Sequence, residues 1–243
     1  VKNNFINLPN SAIVHPMNKL IPIITIDGPS GTGKGTVSER LARALGFHYL
    51  DSGAIYRVLA YQAVQQGIEL NDEAGLIDLA EHLDVKFSMD TPEKTILLEG
   101  KDITDAIRTE TISQLTSKIS SFGGVRAALL ARQQAFAMRP GLVTDGRDMG
   151  TVVFPDADLK IYMTASAKER ASRRYQQLKS KGIDANLAEI LSELQLRDER
   201  DSQRQVAPLK PATDAIVIDT TELGIEEVFD LIMAEAKRRH INN

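Results

Sequence analysis

The sequence predicts an α/β fold of three layers: a five-stranded parallel sheet with helices on both faces. Three observations carry that expectation. Five short apolar runs alternate with segments of helical period, the pattern of strands buried between two helical layers. A glycine-rich turn joins the first run to the first helical segment. Four acids, Asp27, Asp51, Asp145 and Asp219, fall at the carboxyl ends of runs, where such sheets place their ligands.

Residues 1–20 carry Pro9, Pro16 and several Asn and show no periodicity, so they are set apart as an N-terminal extension. With Val at position 1 and Met17 just before the first strand, the functional chain is expected to begin at Met17. Residues 21–243 form the domain. Its first strand is Ile23–Asp27. A helix follows over about 34–45, with Val37, Leu41 and Leu45 on one face and Gly46 as its stop. A second strand covers 47–51. Ser52, read as an N-cap, opens a helix with Ile55, Leu59 and Ala63 in phase, ended by Gly67. Residues 72–83 repeat the helical period through Leu76, Leu79, Ala80 and Leu83.

The texture changes near residue 84. Residues 85–87 and 95–99 read as short strands joined by Asp90-Thr91-Pro92, and Gly100-Lys101-Asp102 reads as a further turn. This is a small β insertion. Helices are expected over 109–121 and 125–138, the second stopped by Pro140-Gly141. The insertion as a whole is placed at about 84–122. The alternating pattern then resumes: a strand at 142–145, a strand at Leu159–Thr164, a basic helix at 168–181, a long helix at 184–204, a last strand at 215–219 and a closing amphipathic helix at 225–239.

Composition narrows the function. At 243 residues and 42% hydrophobic, the chain can bury a full core without staples. It has no Cys, hence no disulfide, thiolate metal site or cysteine nucleophile. Lys and Arg number 29 against 33 Asp and Glu, a net charge of −4 that argues against a general nucleic-acid binder. No apolar run approaches the roughly 20 residues of a membrane span, and no segment has the build of a signal peptide. A cytoplasmic protein is expected, with no membrane and no nucleic-acid partner.

The first chemical motif is Gly28-Pro29-Ser30-Gly31-Thr32-Gly33-Lys34-Gly35-Thr36. Glycines let the backbone wrap an anion, the next helix aims its N-terminus at the same point, and Lys34 adds a mobile charge. Gly35 stands where a hydroxyl is usual, and Thr36 brings the hydroxyl one residue late. The second motif is Asp51-Ser52-Gly53-Ala54-Ile55-Tyr56-Arg57, a helix start with an arginine one turn on, suited to a second phosphate. The third is Asp145-Gly146-Arg147-Asp148-Met149-Gly150, in which Asp145 is placed to hold Mg²⁺ through water, with Thr36 as the other candidate. The fourth is an arginine field over 168–204. Arg170, Arg173 and Arg174 share a helical face, as do Arg197, Arg200, Asp201 and Arg204. Basic groups there exceed acids by only nine to seven, which suits a mobile phosphate lid better than a nucleic-acid arm. The four His are scattered without ligand spacing, and Tyr49, Tyr56 and Phe136 read as core.

Taken together, Gly-Pro-Ser-Gly-x-Gly-Lys-Gly-Thr, Asp-Ser-Gly-Ala-Ile-Tyr-Arg and Asp-Gly-Arg-Asp-Met-Gly-Thr-Val-Val-Phe-Pro-Asp-Ala resemble the bacterial cytidylate kinases, over about residues 21–240. The Lys34-Gly35-Thr36 ending is shared with adenylate kinases, so the Asp145–Thr151 run discriminates. The resemblance implies a P-loop NTPase-type core that transfers the ATP γ-phosphoryl group to CMP or dCMP with Mg²⁺. It implies that residues 28–36 bind ATP and that Ser52, Arg57 and Arg147 hold the CMP phosphate. Ser117, Arg126, Asp148 and Arg204 would face cytosine, and Arg197 and Asp201 the ribose. Lys34, Arg147, Asp148, Arg170 and Arg174 are the expected catalytic groups, the last two with Arg173 in a lid over 168–204. The insertion matches the family's monophosphate-side domain, and a monomer is expected. The rival readings are a P-loop kinase for AMP, UMP or shikimate, and a regulatory module that binds ATP without turnover.

Overall fold

The computed structural model describes residues 21–88 and 95–241. The extension, the Met17 start and the Asp90-Thr91-Pro92 turn lie outside the described residues. The strands are β1 (Ile23–Asp27), β2 (His48–Asp51), β3 (Val85–Ser88), β4 (Thr95–Leu98), β5 (Lys101–Asp102), β6 (Leu142–Gly146), β7 (Leu159–Thr164) and β8 (Ile216–Asp219). The helices are α1 (Lys34–Leu45), α2 (Ser52–Gln66), α3 (Glu73–Glu81), α4 (Glu110–Ile119), α5 (Gly123–Gln134), α6 (Ala167–Ser180), α7 (Leu187–Ser202) and α8 (Ile225–Arg238). The described chain forms two compact units, residues 51–136 and residues 21–50 with 137–241.

The second unit holds the five-stranded sheet, ordered β2-β6-β1-β7-β8. β1 lies at its centre, parallel to β6 with Asp27 opposite Gly146 and parallel to β7 with Asp27 opposite Tyr162. Ile24 and Ile26 on one face and Thr25 and Asp27 on the other are all buried, which explains why β1 reads as a run rather than an alternation. α1 packs Val37 and Leu41 into this core, and α8 covers α1 with Val228, Ile232 and Ala236. Because the strands run parallel, β1, β2, β6 and β8 bring Asp27, Asp51, Asp145 and Asp219 to one end of the sheet, where β7 ends in Thr164.

The unit of residues 51–136 packs α2 on α4 and α3 on α5, beside the antiparallel sheet β3-β4-β5. Three expectations are corrected here. Asp51, not Ser52, caps α2: its carboxylate accepts from the Ala54 N–H at 3.1 Å, and Ser52 is already the first helical residue. Lys101 and Asp102 are not a turn but a strand, paired with Leu98 and Leu97. The reversal belongs to Glu99 and Gly100, whose φ values of 49° and 79° make the two-residue hairpin. A two-residue strand of charged side chains carries no apolar signal. Finally, α5 begins at Gly123 rather than 125. A Cβ on Gly124 would stand 2.4 Å from Ile77 Cδ1, so glycine there lets α5 approach α3, and its N–H donates to Glu73 Oε1 at 3.0 Å.

Candidate active site

The glycine loop of residues 28–36 joins β1 to α1, as the sequence predicts. Gly28, Gly31 and Gly33 have φ of 149°, 83° and 87°, and a Cβ on Gly28 would lie 2.1 Å from the Met163 carbonyl oxygen. α1 has no acid in its first turn and no side-chain cap, an arrangement that suits an anion at its N-terminus. Thr32 Oγ1 and Lys34 Nζ both donate to the Pro29 carbonyl, at 3.2 and 3.0 Å. Two loop carbonyls are held from outside. Arg170 Nη1 donates to Ser30 O at 3.0 Å, while Arg173 Nη1 and Thr220 Oγ1 donate to Thr32 O at 3.4 and 3.3 Å. In a planar trans peptide the next N–H points the opposite way, so these bonds fix the directions of the Gly31 and Gly33 N–H groups.

Asp145 is the last residue but one of β6, on the α1 side of the sheet. Its Oδ1 accepts from the Tyr49 hydroxyl at 2.6 Å and stands 3.9 Å from where a Gly35 Cβ would be. Thr36 is exposed on α1. Arg147 then links three elements: Nε donates to Asp201 Oδ2 at 2.8 Å, Nη2 to Ser30 Oγ at 2.9 Å and Nη1 to Gly146 O at 3.3 Å. Asp201, on the inner side of α7, is 1% exposed and also pairs with Arg204. After Asp148 the chain makes a single π-helical turn, Met149–Val153, and the Asp27 carboxylate accepts from the Met149 and Gly150 N–H groups.

The unit of residues 51–136 carries the other expected groups. Ser52 is buried at the start of α2. Arg57 is held by the Ile107 carbonyl at 3.1 Å and the Ser113 hydroxyl at 3.4 Å. Ser117, one turn along α4 from Ser113, is buried, and Ser120 Oγ donates to its carbonyl. Arg126, also buried, donates to Ser120 O at 3.0 Å with its guanidinium 5.6 Å from the Tyr56 ring centroid.

The cytidylate kinase family model matches residues 24–238. This chain belongs to the cytidylate kinase family. A cytidylate kinase of Stutzerimonas stutzeri (strain A1501) is 58% identical over 227 residues, covering 93% of this chain and 99% of its own. One from Pseudomonas putida (strain W619) is 57% identical over 93% of this chain and all of its own. One from Azotobacter vinelandii (strain DJ / ATCC BAA-1303) is 58% identical over 90% and 96%.

In this member of the cytidylate kinase family, the arginines predicted for the lid take different places. Arg170 is 4% exposed, bound to the Ala165 and Ser30 carbonyls and to both oxygens of Asp198 at 3.2 and 2.5 Å. Arg173 pairs with Glu169 and reaches the Thr220 carbonyl at 2.5 Å. Arg174 donates to Gln177 at 2.8 Å on an exposed stretch of α6. Arg197 lies on α7, its charge felt by Asp201. Burial alone pushes the Asp201 carboxyl up, but the Arg147, Arg204 and Arg197 guanidinium groups outweigh it and hold the acid below its ordinary value. The same pairing offsets the burial of Arg147 and raises its guanidinium. Asp27 goes the other way: burial pushes it up to about 7, against the lowering effect of its two amide donors.

Four residues beside the site escape a reading of the sequence, Tyr49, Ser113, Asp198 and Thr220, while Asp27 stands out there only as an acid at a strand end, without its partners. Ser113 had a usable signal, its spacing of one helical turn from Ser117. The others act across 28 to 188 positions of chain, beyond any local pattern.

Proposed function

We infer that the chain transfers the γ-phosphoryl group of ATP to CMP or dCMP, giving ADP and CDP or dCDP. The observation that carries this reading is the family match across residues 24–238, which takes in all four phosphate-suited motifs. In this reading the glycine loop and Lys34 bind the ATP phosphates, and the acceptor phosphate oxygen is itself the nucleophile. No covalent enzyme intermediate is required. Two anions must be brought together, so the work of the protein is positioning and charge compensation. Ser52, Arg57 and Arg147 are assigned to the acceptor phosphate, and Ser117, Arg126, Asp148 and Arg204 to the base. Arg197 and Asp201 are assigned to the sugar. The Asp201 carboxylate, already shared by two arginines, would serve there both as acceptor and as their orienting partner. Lys34, Arg170 and Arg174 are assigned to the transferring phosphate. Arg170, paired with Asp198, would act from the underside of the loop.

Mg²⁺ suits the residues present. No group of three or more His, Cys, Asp or Glu able to hold a metal occurs among the described residues, and Mg²⁺ commonly keeps its waters and binds through one carboxylate plus substrate phosphates. Asp145, fixed by Tyr49, and Thr36 would hold it through water, and the ion would neutralise charge on the ATP phosphates. No described helix is long and apolar enough to cross a membrane. We further propose a cytoplasmic monomer, whose mass in size-exclusion chromatography with light scattering should match a single chain.

The deciding experiment follows ADP formation from Mg·ATP with CMP, dCMP, UMP, AMP or shikimate as acceptor. CMP and dCMP should support turnover and the other three much less. ADP formation indifferent to acceptor would contradict the reading.

A further inference from the structure

We propose that Asp27 is a positioning residue for the acceptor side of the site: it caps the Met149–Val153 turn in place of Asp148 and so fixes how Arg147 and Asp148 are presented. An Asp in the N-cap position ordinarily caps its own helix, turning its carboxylate back onto the N–H groups that follow. Asp148 occupies that position, with φ −146° and ψ 23°, and its side chain does not cap the turn. The N–H groups of Met149 and Gly150 are instead bound by Asp27, one to each carboxylate oxygen, at 2.9 and 2.8 Å. The Asp148 carboxylate is thereby spared a capping task that would point it into the turn.

The surroundings leave the turn no other seat. Asp27 stands opposite Gly146 in the β1–β6 pairing, so its carboxylate lies where β6 releases the chain. A Cβ on Gly150 would meet Thr25 Oγ1 at 2.8 Å and the Lys160 side chain at 3.3 Å, so glycine lets the turn rest directly on the sheet. Two residues before the capped amides, Arg147 is anchored to Ser30 and Asp201. A shift of the turn is therefore passed to both side chains. An Asn at position 27 keeps the shape but sets an NH₂ against one backbone N–H, leaving a buried donor without an acceptor.

This inference rests on the assignment of Arg147 and Asp148 to CMP, and the test separates the two. Dissociation constants for CMP and for ATP are measured by calorimetry on the wild type, Arg147→Ala, Asp148→Asn, Asp27→Asn and the Asp27→Asn/Asp148→Asn pair. Loss of CMP affinity in Arg147→Ala and Asp148→Asn upholds the acceptor assignment whatever Asp27 does, and its absence overturns both ideas. Given that loss, Asp27→Asn should weaken CMP about tenfold while ATP changes by less than about threefold. The double variant should be little weaker than Asp148→Asn alone, since both changes remove one arrangement. Equal weakening of both nucleotides, unchanged CMP binding, or additive losses would overturn the positioning role. If Asp27→Asn does not fold, Asp27→Ser, which keeps one acceptor, is measured in its place. Failure of both to fold would make Asp27 a purely structural residue and end the proposal.

Discussion

Asp201 receives the Arg147 Nε at 2.8 Å on a side chain that is only 1% exposed, and so ties α7 to the loop that leaves β6. Arg204 pairs with the other carboxylate oxygen. One acid thus balances two guanidinium groups, and removing it leaves both charges without their shared partner. Asp201→Ala should lower unfolding stability by about 3–5 kcal/mol, the range for breaking a buried pair. In the folded fraction the KM for CMP should rise more than that for ATP. Urea denaturation and steady-state kinetics check the two halves, and equal changes in both KM values would contradict the sugar-side role.

Lys34 gives a simpler expectation. Its Nζ donates to the Pro29 carbonyl, within the loop itself. Lys34→Ala should keep its circular dichroism spectrum and midpoint while kcat falls by about 10²–10³. Near-normal turnover in a folded variant would remove Lys34 from the mechanism.

Tyr49 donates to Asp145 at 2.6 Å, and both side chains are buried. Tyr49→Phe keeps the ring and deletes the donor. Loss of this donor to a buried carboxylate should cost about 1–3 kcal/mol in denaturant unfolding. With Asp145 less firmly aimed, more Mg²⁺ should be needed for half-maximal turnover. An unchanged Mg²⁺ requirement would leave Tyr49 with packing alone.

Asp27 predicts a pH dependence of unusual sign. Its carboxyl, pushed by burial to about 7, stays protonated in the folded chain over a range where an unfolded Asp has ionised. Between about pH 4 and 7 the native state therefore binds more protons, and its contribution to stability is full below that window and lost as pH rises through it. Asp201 is lowered instead, and its contribution is lost only as pH falls below the ordinary Asp range. The stability of the wild type relative to Asp27→Asn should accordingly shrink from pH 4.5 to 7.5. Denaturation curves at several pH values would show it, and a constant difference would contradict it.

Much of this protein is written locally. The β1 run, the glycines of the phosphate loop, the Gly46 and Gly67 helix stops and the phases of α1 and α8 depend on neighbours a few positions away, and periodicity reports such neighbours directly. The same holds for Ile23–Asp27 and Leu159–Thr164, whose limits in the structure match the expected ones. Locality also explains the misses. Ser52 and Asp51 are both good caps, and only the backbone at residue 51 decides between them.

By itself the sequence determined the alternating layers, the phosphate loop and the residue types gathered at the strand ends. Tertiary structure decided what those residues hold. Strand pairing brings Asp27 beside the turn after Gly146, 122 positions from the Met149 amide it caps. α6 packs beside α7, and Arg170 closes onto Asp198 and the back of the loop. An arginine or an aspartate has the same local signature whether it faces solvent, a phosphate or another side chain. Its partner is fixed only when burial removes water as the alternative, and burial belongs to the whole fold.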